Sequence, residues 1–210
     1  MISIPQILLL SLCYWITPKR VIRRLLDMSL AWYVPLIPVL LSGVTFTIAQ
    51  VSYRDLGDYF EFGSLLLASF GIGIGVGPLL WLLFSGLFYG VGKVFKGQAS
   101  WRDMQIAVAF SLIPYVFKLL LWMVQLLLFG DEMFTDFTPR IDDSFFLTLF
   151  YLFFLLIQVI LTIWYVVLLF FAVGEAHRFS TWIGLPVTLI SVGLIWIVSK
   201  YVFDIVLYPA

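Results

Sequence analysis

Three groups of residues in this sequence have types and spacings that could support chemistry. Residues 71–78 read GIGIGVGP, a glycine-rich run that in a soluble enzyme would indicate a phosphate-cradling loop. Lys118 lies inside an apolar stretch, and Glu175 and His177 stand two residues apart in FAVGEAHRFST. The corresponding hypotheses are a nucleotide site, an intramembrane functional charge, and a metal or proton-relay site.

The nucleotide hypothesis fails on the context of the glycines. A phosphate loop presents free backbone amides at a helix N-terminus in a polar setting, after a strand. This run lacks the Lys-Ser/Thr ending, does not match G-x-G-x-x-G, and lies inside LLLASFGIGIGVGPLLWLLFSGLFYG. We therefore expect neither a bound nucleotide nor a nucleic-acid partner.

In a membrane helix the same glycines predict close packing. They form pairs four residues apart, and each pair offers a face on which another backbone can approach closely. The pairs are Gly71 with Gly75, Gly73 with Gly77, and Gly86 with Gly90. The first two pairs point in nearly opposite directions, and Pro78 predicts a bend. Two hypotheses remain: packing alone, or a helix broken around a substrate path as in transporters.

Lys118 is an intramembrane charge in QIAVAFSLIPYVFKLLLWMVQLLLF. A charge at that depth costs a few kcal/mol on insertion scales and is by default a functional-site hypothesis. Gln125 shares its face, and Gln158 is the main polar group of the next apolar segment. The alternative is a structural lysine bonded to carbonyls freed near Gly77–Pro78 or Pro114.

The remaining polar motifs predict no active site. His177 is the only histidine and no second nitrogen or sulfur ligand accompanies it, so we expect no metal. No catalytic residues, no cofactor and no enzymatic activity are predicted, because no nucleophile motif or intramembrane carboxylate pair is present. The acidic loop GDEMFTDFTPRIDDS lacks calcium-loop spacing, and we expect it to be solvated.

Composition requires that these residues lie in a membrane protein. The chain has 210 residues, of which 63% are hydrophobic and only 11% charged, far from the values of a soluble domain. Five stretches are long and apolar enough to span a bilayer. They are Ala31–Val51, Ser64–Val91, Ile106–Phe129, Phe145–Val173 and Ile183–Val202. The prediction is an all-α protein with an interfacial segment over residues 1–30 and a five-helix membrane domain over residues 31–205.

The distribution of charge predicts the orientation. With five spans, eight of the twelve basic residues fall on the side that includes the N-terminus, and nine of the twelve acidic residues fall on the other. Because short cytoplasmic flanks are enriched in Lys and Arg, we expect a cytoplasmic N-terminus and an extracellular C-terminus in a cell-membrane protein.

The segment TPKRVIRRLLD predicts a short basic amphipathic helix. Thr17 suits the N-cap and Pro18 the first helical position. Its basic residues occupy one face, opposite an apolar face: Lys19, Arg20, Arg23 and Arg24. We expect this helix on the cytoplasmic leaflet, attracted to anionic lipid headgroups. It is either a topology anchor or a docking surface for a protein partner.

The arrangement of these segments resembles the Yip-domain family, the Ypt-interacting proteins and their bacterial relatives. The residues that carry the resemblance are the basic PKRVIRRLL before the first span, the glycine-rich second span, the stretch FKGQASWRD followed by SLIP, and VGEAHRFST. The resemblance covers roughly residues 14–205. The chain has almost no soluble N-terminal region, so it is more similar to the bacterial branch than to eukaryotic members.

What the resemblance implies is a non-enzymatic accessory or scaffold protein that binds another membrane protein, such as a transporter subunit. One bacterial relative accompanies an ABC exporter that protects cells against a toxic peptide, which makes assembly or regulation of such an exporter a hypothesis. The alternative is a small carrier, channel or lipid-handling protein that uses the Gly77–Pro78 bend and Lys118. Self-association is compatible with both.

Overall fold

The structure is a computed structural model, and it describes residues 14–28, 30–179 and 183–194. Every regular element within those residues is helical, in agreement with the predicted all-α class. The α-helices are α1 Pro18–Asp27, α2 Leu36–Tyr53, α3 Phe62–Val94, α4 Trp101–Ser111, α5 Ile113–Phe129, α6 Pro139–Asp142, α7 Phe145–Ala176 and α8 Ile183–Leu194. Two 3₁₀ turns, Leu56–Asp58 and Gly130–Phe134, follow α2 and α5.

Four of the five predicted spans have counterparts long and apolar enough to cross a membrane. They are α2, α3, the stretch Trp101–Phe134 and α7. The fifth predicted span, Ile183–Val202, is described only over α8, which ends at Leu194. Residues 195–202 lie outside the described residues, so the fifth crossing and the position of the C-terminus stay predictions.

The two prolines within the spans act differently. Helix α3 is unbroken through Pro78, so the bend predicted there stays a prediction. The interruption lies at Leu112, between α4 and α5, with Pro114 in the first turn of α5. Proline lacks the amide that would continue the hydrogen-bond ladder, which favours a new helix start at this point. The Thr45 hydroxyl donates to the Tyr115 carbonyl (3.0 Å) just after the break.

The chain forms two compact units. One contains the described residues of ranges 1–29, 83–108 and 168–210, and the other contains residues 30–82 and 109–167. The sequence-based division into residues 1–30 and 31–205 stays a prediction.

In the second unit, α2 and α3 meet through glycines. A Cβ placed on Gly77 would lie 2.5 Å from the Val39 carbonyl oxygen, and one on Gly73 would lie 2.6 Å from the Val44 Cα. A Cβ on Gly43 would lie 2.6 Å from the Gly77 Cα. The Thr47 hydroxyl also donates to the Ser69 carbonyl (2.7 Å). The predicted Gly73–Gly77 face is therefore a close helix–helix contact, and Gly43 is its partner.

An aromatic cluster closes the core of this unit at one end. Its buried rings are Trp122, Phe129, Phe134 and Phe154. The Trp122 and Phe134 rings stack with centroids 6.5 Å apart. The Ser52 hydroxyl donates to the Met133 carbonyl (2.7 Å), which fastens the 3₁₀ turn to the end of α2.

The acidic loop after α5 is less solvated at one position than the sequence predicts. Glu132 is buried, and its carboxylate accepts the backbone amides of Arg140 (2.9 Å) and Ile141 (3.0 Å). An ionised carboxylate that accepts two amides at the start of a helix satisfies groups that would otherwise lack partners. The expectation of a fully solvated loop was wrong for Glu132, whereas Asp131, Asp136, Asp142 and Asp143 are exposed.

From the glycine contact we predict opposite effects of alanine substitution on the two faces of α3, at Gly73 and at Gly71. Gly73→Ala should lower the free energy of unfolding by about 1–3 kcal/mol, because its methyl would meet the Val44 backbone. Gly71→Ala should be neutral or stabilising by up to about 1 kcal/mol, because no atom of the described residues lies within 4 Å of the added Cβ and alanine favours helix. Thermal unfolding of both variants in detergent measures the difference. Equal effects would contradict the contact.

Candidate functional site

A row of polar side chains joins α5 to α7 in the middle of their spans. The Lys118 ammonium donates to the Thr162 hydroxyl (3.0 Å) and lies 4.9 Å from the centre of the Tyr115 ring. Thr162 in turn donates to the Gln158 carbonyl (2.8 Å). The predicted intramembrane lysine thus has a hydroxyl acceptor and an aromatic face as its environment.

The two predicted glutamines complete this row. The Gln158 side-chain amide donates to the Gln125 side-chain oxygen (3.1 Å). Gln125 is only 2% exposed, and its own amide nitrogen has no hydrogen-bond partner among the described residues. Lys118, Gln125 and Gln158 are therefore brought together with Thr162, which the sequence analysis did not connect to the lysine. Glutamine pairs between helices are a common polar contact in membranes.

The surroundings of Lys118 favour a structural role. The side chain is 9% exposed, and its hydrogen-bond acceptor lies on a neighbouring helix. The described residues line two cavities of about 400 Å³, and Lys118 lines neither of them. The carbonyls proposed as partners near Gly77 and Pro114 are not the acceptor; the acceptor is the Thr162 hydroxyl.

His177 is among the most deeply buried polar residues of the first unit. It follows the last residue of α7 and is 1% exposed. Its Nε2 lies 3.1 Å from the Phe88 carbonyl of α3, and its own carbonyl accepts the Gln98 amide (3.1 Å). Since Nε2 faces an acceptor, the neutral ring carries its proton there. Nδ1 has no hydrogen-bond partner in the described part of the chain.

Two glycines make room for this ring. A Cβ at Gly92 would lie 2.5 Å from the His177 Cδ2, and a Cβ at Gly97 would overlap the Nδ1 side of the ring. The Gly97 amide also donates to the Gly92 carbonyl (2.8 Å) across the turn that ends α3. The sequence analysis missed both residues. The only signals in the sequence were the two glycines of GKVFKG, residues 92–97, and the presence of a single histidine.

No metal site accompanies the histidine. Within residues 14–28, 30–179 and 183–194, no group of three His, Cys, Asp or Glu side chains could hold an ion. Glu175 instead accepts the Arg23 guanidinium, with Nη2–Oε2 at 2.7 Å and Nε–Oε2 at 3.1 Å. The pairing of Glu175 with His177 considered from the sequence is therefore replaced by a salt bridge to α1.

Helix α1 carries the four basic residues Lys19, Arg20, Arg23 and Arg24 and buries its apolar side within the protein. Val21, Ile22 and Leu25 are buried, whereas the four basic residues are exposed. Lys19 lies 5.3 Å from the centre of the Phe171 ring on α7. The burial means that protein, rather than lipid alone, covers the apolar face. Location on the cytoplasmic leaflet and contact with anionic headgroups stay predictions.

The other glycines singled out from the sequence differ in whether neighbouring atoms lie where a Cβ would be. A Cβ at Gly86 would make ordinary contact with the Trp101 ring at 3.9 Å. Gly71, Gly75 and Gly90 have no atom within 4 Å of such a Cβ in the described structure. The helix therefore uses the Gly73–Gly77 face internally and leaves the Gly71–Gly75 face uncovered.

The Lys118 contact can be tested by a double-mutant cycle. Thr162→Val should lower the free energy of unfolding by about 1 kcal/mol, because it removes the acceptor of a buried ammonium. In a Lys118→Met background the same substitution should cost less, since no charge is left without its partner. Thermal unfolding in detergent gives both values. An identical cost in the two backgrounds would show that the pair is not coupled.

His177 predicts a dependence of stability on pH. Burial is the main cause that lowers its pKa below the usual value, and the charge of Lys93 adds to it, while the bond to the Phe88 carbonyl opposes both. Above about pH 6.5 the ring is neutral in the folded and unfolded chains. As the pH falls below that value the unfolded chain binds a proton that the folded chain does not, so stability declines.

The matched variant for this pH dependence is His177→Gln, which cannot gain the charge. We expect the wild-type unfolding temperature to fall between about pH 7 and pH 5.5 more steeply than that of the variant. Parallel curves for the two proteins would overturn the assignment of the pH effect to His177.

Comparison with known proteins adds one finding to this geometry. Searches of curated proteins and of solved structures found no match. The model of the Yip1 domain matches residues 12–200, which is most of the chain. With its apolar helices α2, α3 and α7 and the span Trp101–Phe134, the chain belongs to the Yip1-domain family of membrane proteins.

Proposed function

We propose that this chain is a non-enzymatic multipass accessory protein that binds another membrane protein through the open glycine face of α3. The observation that carries the proposal is the contrast between the two faces of that helix. Gly73 and Gly77 already hold α2 at backbone distance, and Gly71 and Gly75 offer the same spacing with no described residue against them. A small-residue face in a bilayer favours close approach of a second helix.

The open face has a defined extent. Leu67, Gly71, Gly75 and Leu79 follow one another at intervals of four residues, and both leucines are well exposed (78% and 68%). Large side chains at either end of a small-residue centre form a groove into which a partner helix can pack. Family membership supports a membrane partner, and a transporter such as an ABC exporter for toxic peptides is the partner that we propose.

The exposed side of α1 is the second surface of this proposal. Arg23 is engaged with Glu175, and Lys19 lies over Phe171, so these two residues also stabilise the first unit. Arg20 and Arg24 are the better probes of docking, because both are exposed and their charge reversal leaves the Arg23–Glu175 pair intact. We place this face in the cytoplasm of a cell-membrane protein, against anionic headgroups or the partner.

The alternative, a carrier, channel or lipid-handling protein built on Gly77–Pro78 and Lys118, has less support. Gly77 packs against Val39 and Gly43, and Lys118 is bonded to Thr162. Neither of the two cavities of about 400 Å³ reaches either residue. A solute path in this region would require these contacts to open.

Site-specific photocrosslinking tests the accessory function. A photoreactive residue at Leu67 or Leu79 keeps the glycines intact, and Leu127, which is 87% exposed on α5, is the matched lipid-facing control. We expect a stoichiometric adduct with a transporter subunit from both α3 positions and only lipid adducts from Leu127. Gly71→Leu with Gly75→Leu should remove that adduct without lowering the unfolding temperature.

Two results would overturn the proposal. Equal labelling from Leu127 and the α3 positions would show that the glycine face binds lipid alone. Adducts exclusively between copies of this chain would identify the face as a self-association surface. Charge reversal of Arg20 and Arg24, with crosslinks at Leu67 as the readout, then shows whether α1 contributes to the same complex.

A further inference from the structure

We infer that the turn between α3 and α4 forms a binding surface for phospholipids with anionic headgroups. Helix α3 ends at Val94 and α4 begins at Trp101, so the turn lies where one apolar span ends and the next begins. All of it belongs to the first unit. We call it the α3–α4 turn surface; its residues are Tyr89, Gly90, Lys93, Val94, Lys96 and Trp101.

The α3–α4 turn surface lies at headgroup depth. Lys93 is the first charged residue after Glu61, because residues 62–92 contain no charge. Tyr89 precedes this boundary by one turn, and Trp101 is the first residue of α4. Tyrosine and tryptophan concentrate where a membrane meets water, and a lysine at the end of an uncharged span reaches the lipid phosphates. This depth requires only that both spans cross the bilayer and is independent of which leaflet the turn meets.

An aromatic wall from two helices runs beside the lysine. The Lys93 ammonium lies 5.3 Å from the centre of the Tyr89 ring. The Tyr89 and Trp101 rings meet edge to face, with centroids 5.8 Å apart and an interplanar angle of 87°. These contacts put the ammonium and both rings on one side of the turn. A lipid whose phosphate meets Lys93 can therefore lay its glycerol and upper acyl chains against the rings.

Gly90 leaves space next to this wall. It lies one turn before Val94 and one turn after Gly86, and no described atom lies within 4 Å of a Cβ built on it. Val94 is 81% exposed and Trp101 is 42% exposed, so apolar surface borders the gap. An acyl chain can approach the backbone of α3 here, which gives the lipid an apolar contact in addition to the charge.

The charges of the turn match an anionic headgroup. Lys93 and Lys96 are exposed, and Arg102 adds a third positive charge. The nearest carboxylate in the sequence is that of Asp103, whose Oδ2 accepts the Ser100 amide (2.9 Å) at the start of α4. A zwitterionic headgroup brings its own cation toward these lysines, whereas an anionic headgroup brings none, so the anionic lipid is attracted more strongly.

Helix α1 carries a similar charge but offers lipid less. Its apolar side chains Val21, Ile22 and Leu25 are buried in protein, so they cannot insert between lipids while the helix is docked. Stable contact with a membrane surface combines apolar burial with attraction to anionic lipid. The α3–α4 turn surface combines the two, which makes it the stronger lipid contact of the first unit. This inference is independent of the transporter partner proposed above.

Native mass spectrometry of the full chain tests this preference. The protein in detergent is titrated with phosphatidylglycerol, or with phosphatidylcholine of the same acyl chains, and the bound lipids are counted. We expect phosphatidylglycerol to bind more tightly. Lys93→Gln with Lys96→Gln should lower its affinity about twenty-fivefold, or about fivefold for each lysine. The matched control, Arg20→Gln with Arg24→Gln, removes two exposed charges from α1 and should leave the affinity unchanged.

A second pair of variants tests the apolar contact. Gly90→Leu fills the gap and should lower the affinity for both lipids without lowering the unfolding temperature, because no described atom lies within 4 Å of the added Cβ. Gly75→Leu places the same side chain at another open position of α3 and should leave both affinities unchanged. Equal wild-type affinities for the two lipids, equal losses in the lysine and arginine variants, or equal losses in the two glycine variants would overturn the inference.

Discussion

The backbones of α2 and α3 approach each other so closely that no side chain fits at the crossing. Gly43 from one helix and Gly73 and Gly77 from the other remove the Cβ atoms that would keep them apart. In lipid, helices gain little from hydrophobic burial, because the acyl chains are as apolar as the side chains. Close backbone contact, reinforced by the Thr47 hydroxyl on the Ser69 carbonyl, is therefore what holds this pair together.

The rest of the second unit depends on that contact. With α2 fixed, Thr45 can bond the Tyr115 carbonyl at the break between α4 and α5, and Ser52 can bond Met133 after α5. Helix α5 then meets α7 through Lys118, Thr162 and the glutamine pair. The Gly71–Gly75 face is left over from this packing, because no described residue covers it.

The first unit is held together in a different way: the imidazole ring of His177 fills the space left by two glycines. His177 lies between Gly92 and Gly97 and joins the end of α7 to the end of α3 and the turn beyond it. Its neutral form is the one that fits, since a second proton on Nδ1 would be buried without an acceptor. The Arg23–Glu175 pair attaches α1 to the same end of α7. That pair has one exposed partner, so the burial of Val21, Ile22 and Leu25 contributes more to holding α1.

By itself the sequence determined the all-α class, the first four apolar spans and the pairing of glycines at four-residue intervals. These features depend on composition and helical period, which are local properties of the chain. Only the tertiary structure decided which glycine face is filled, that Thr162 accepts from Lys118, that Glu175 meets Arg23 and that Glu132 is buried. The first three of these join residues far apart in sequence, and the fourth depends on the turn that brings the Arg140 and Ile141 amides to Glu132. Helical period predicts the direction of a side chain but not the neighbour that it meets.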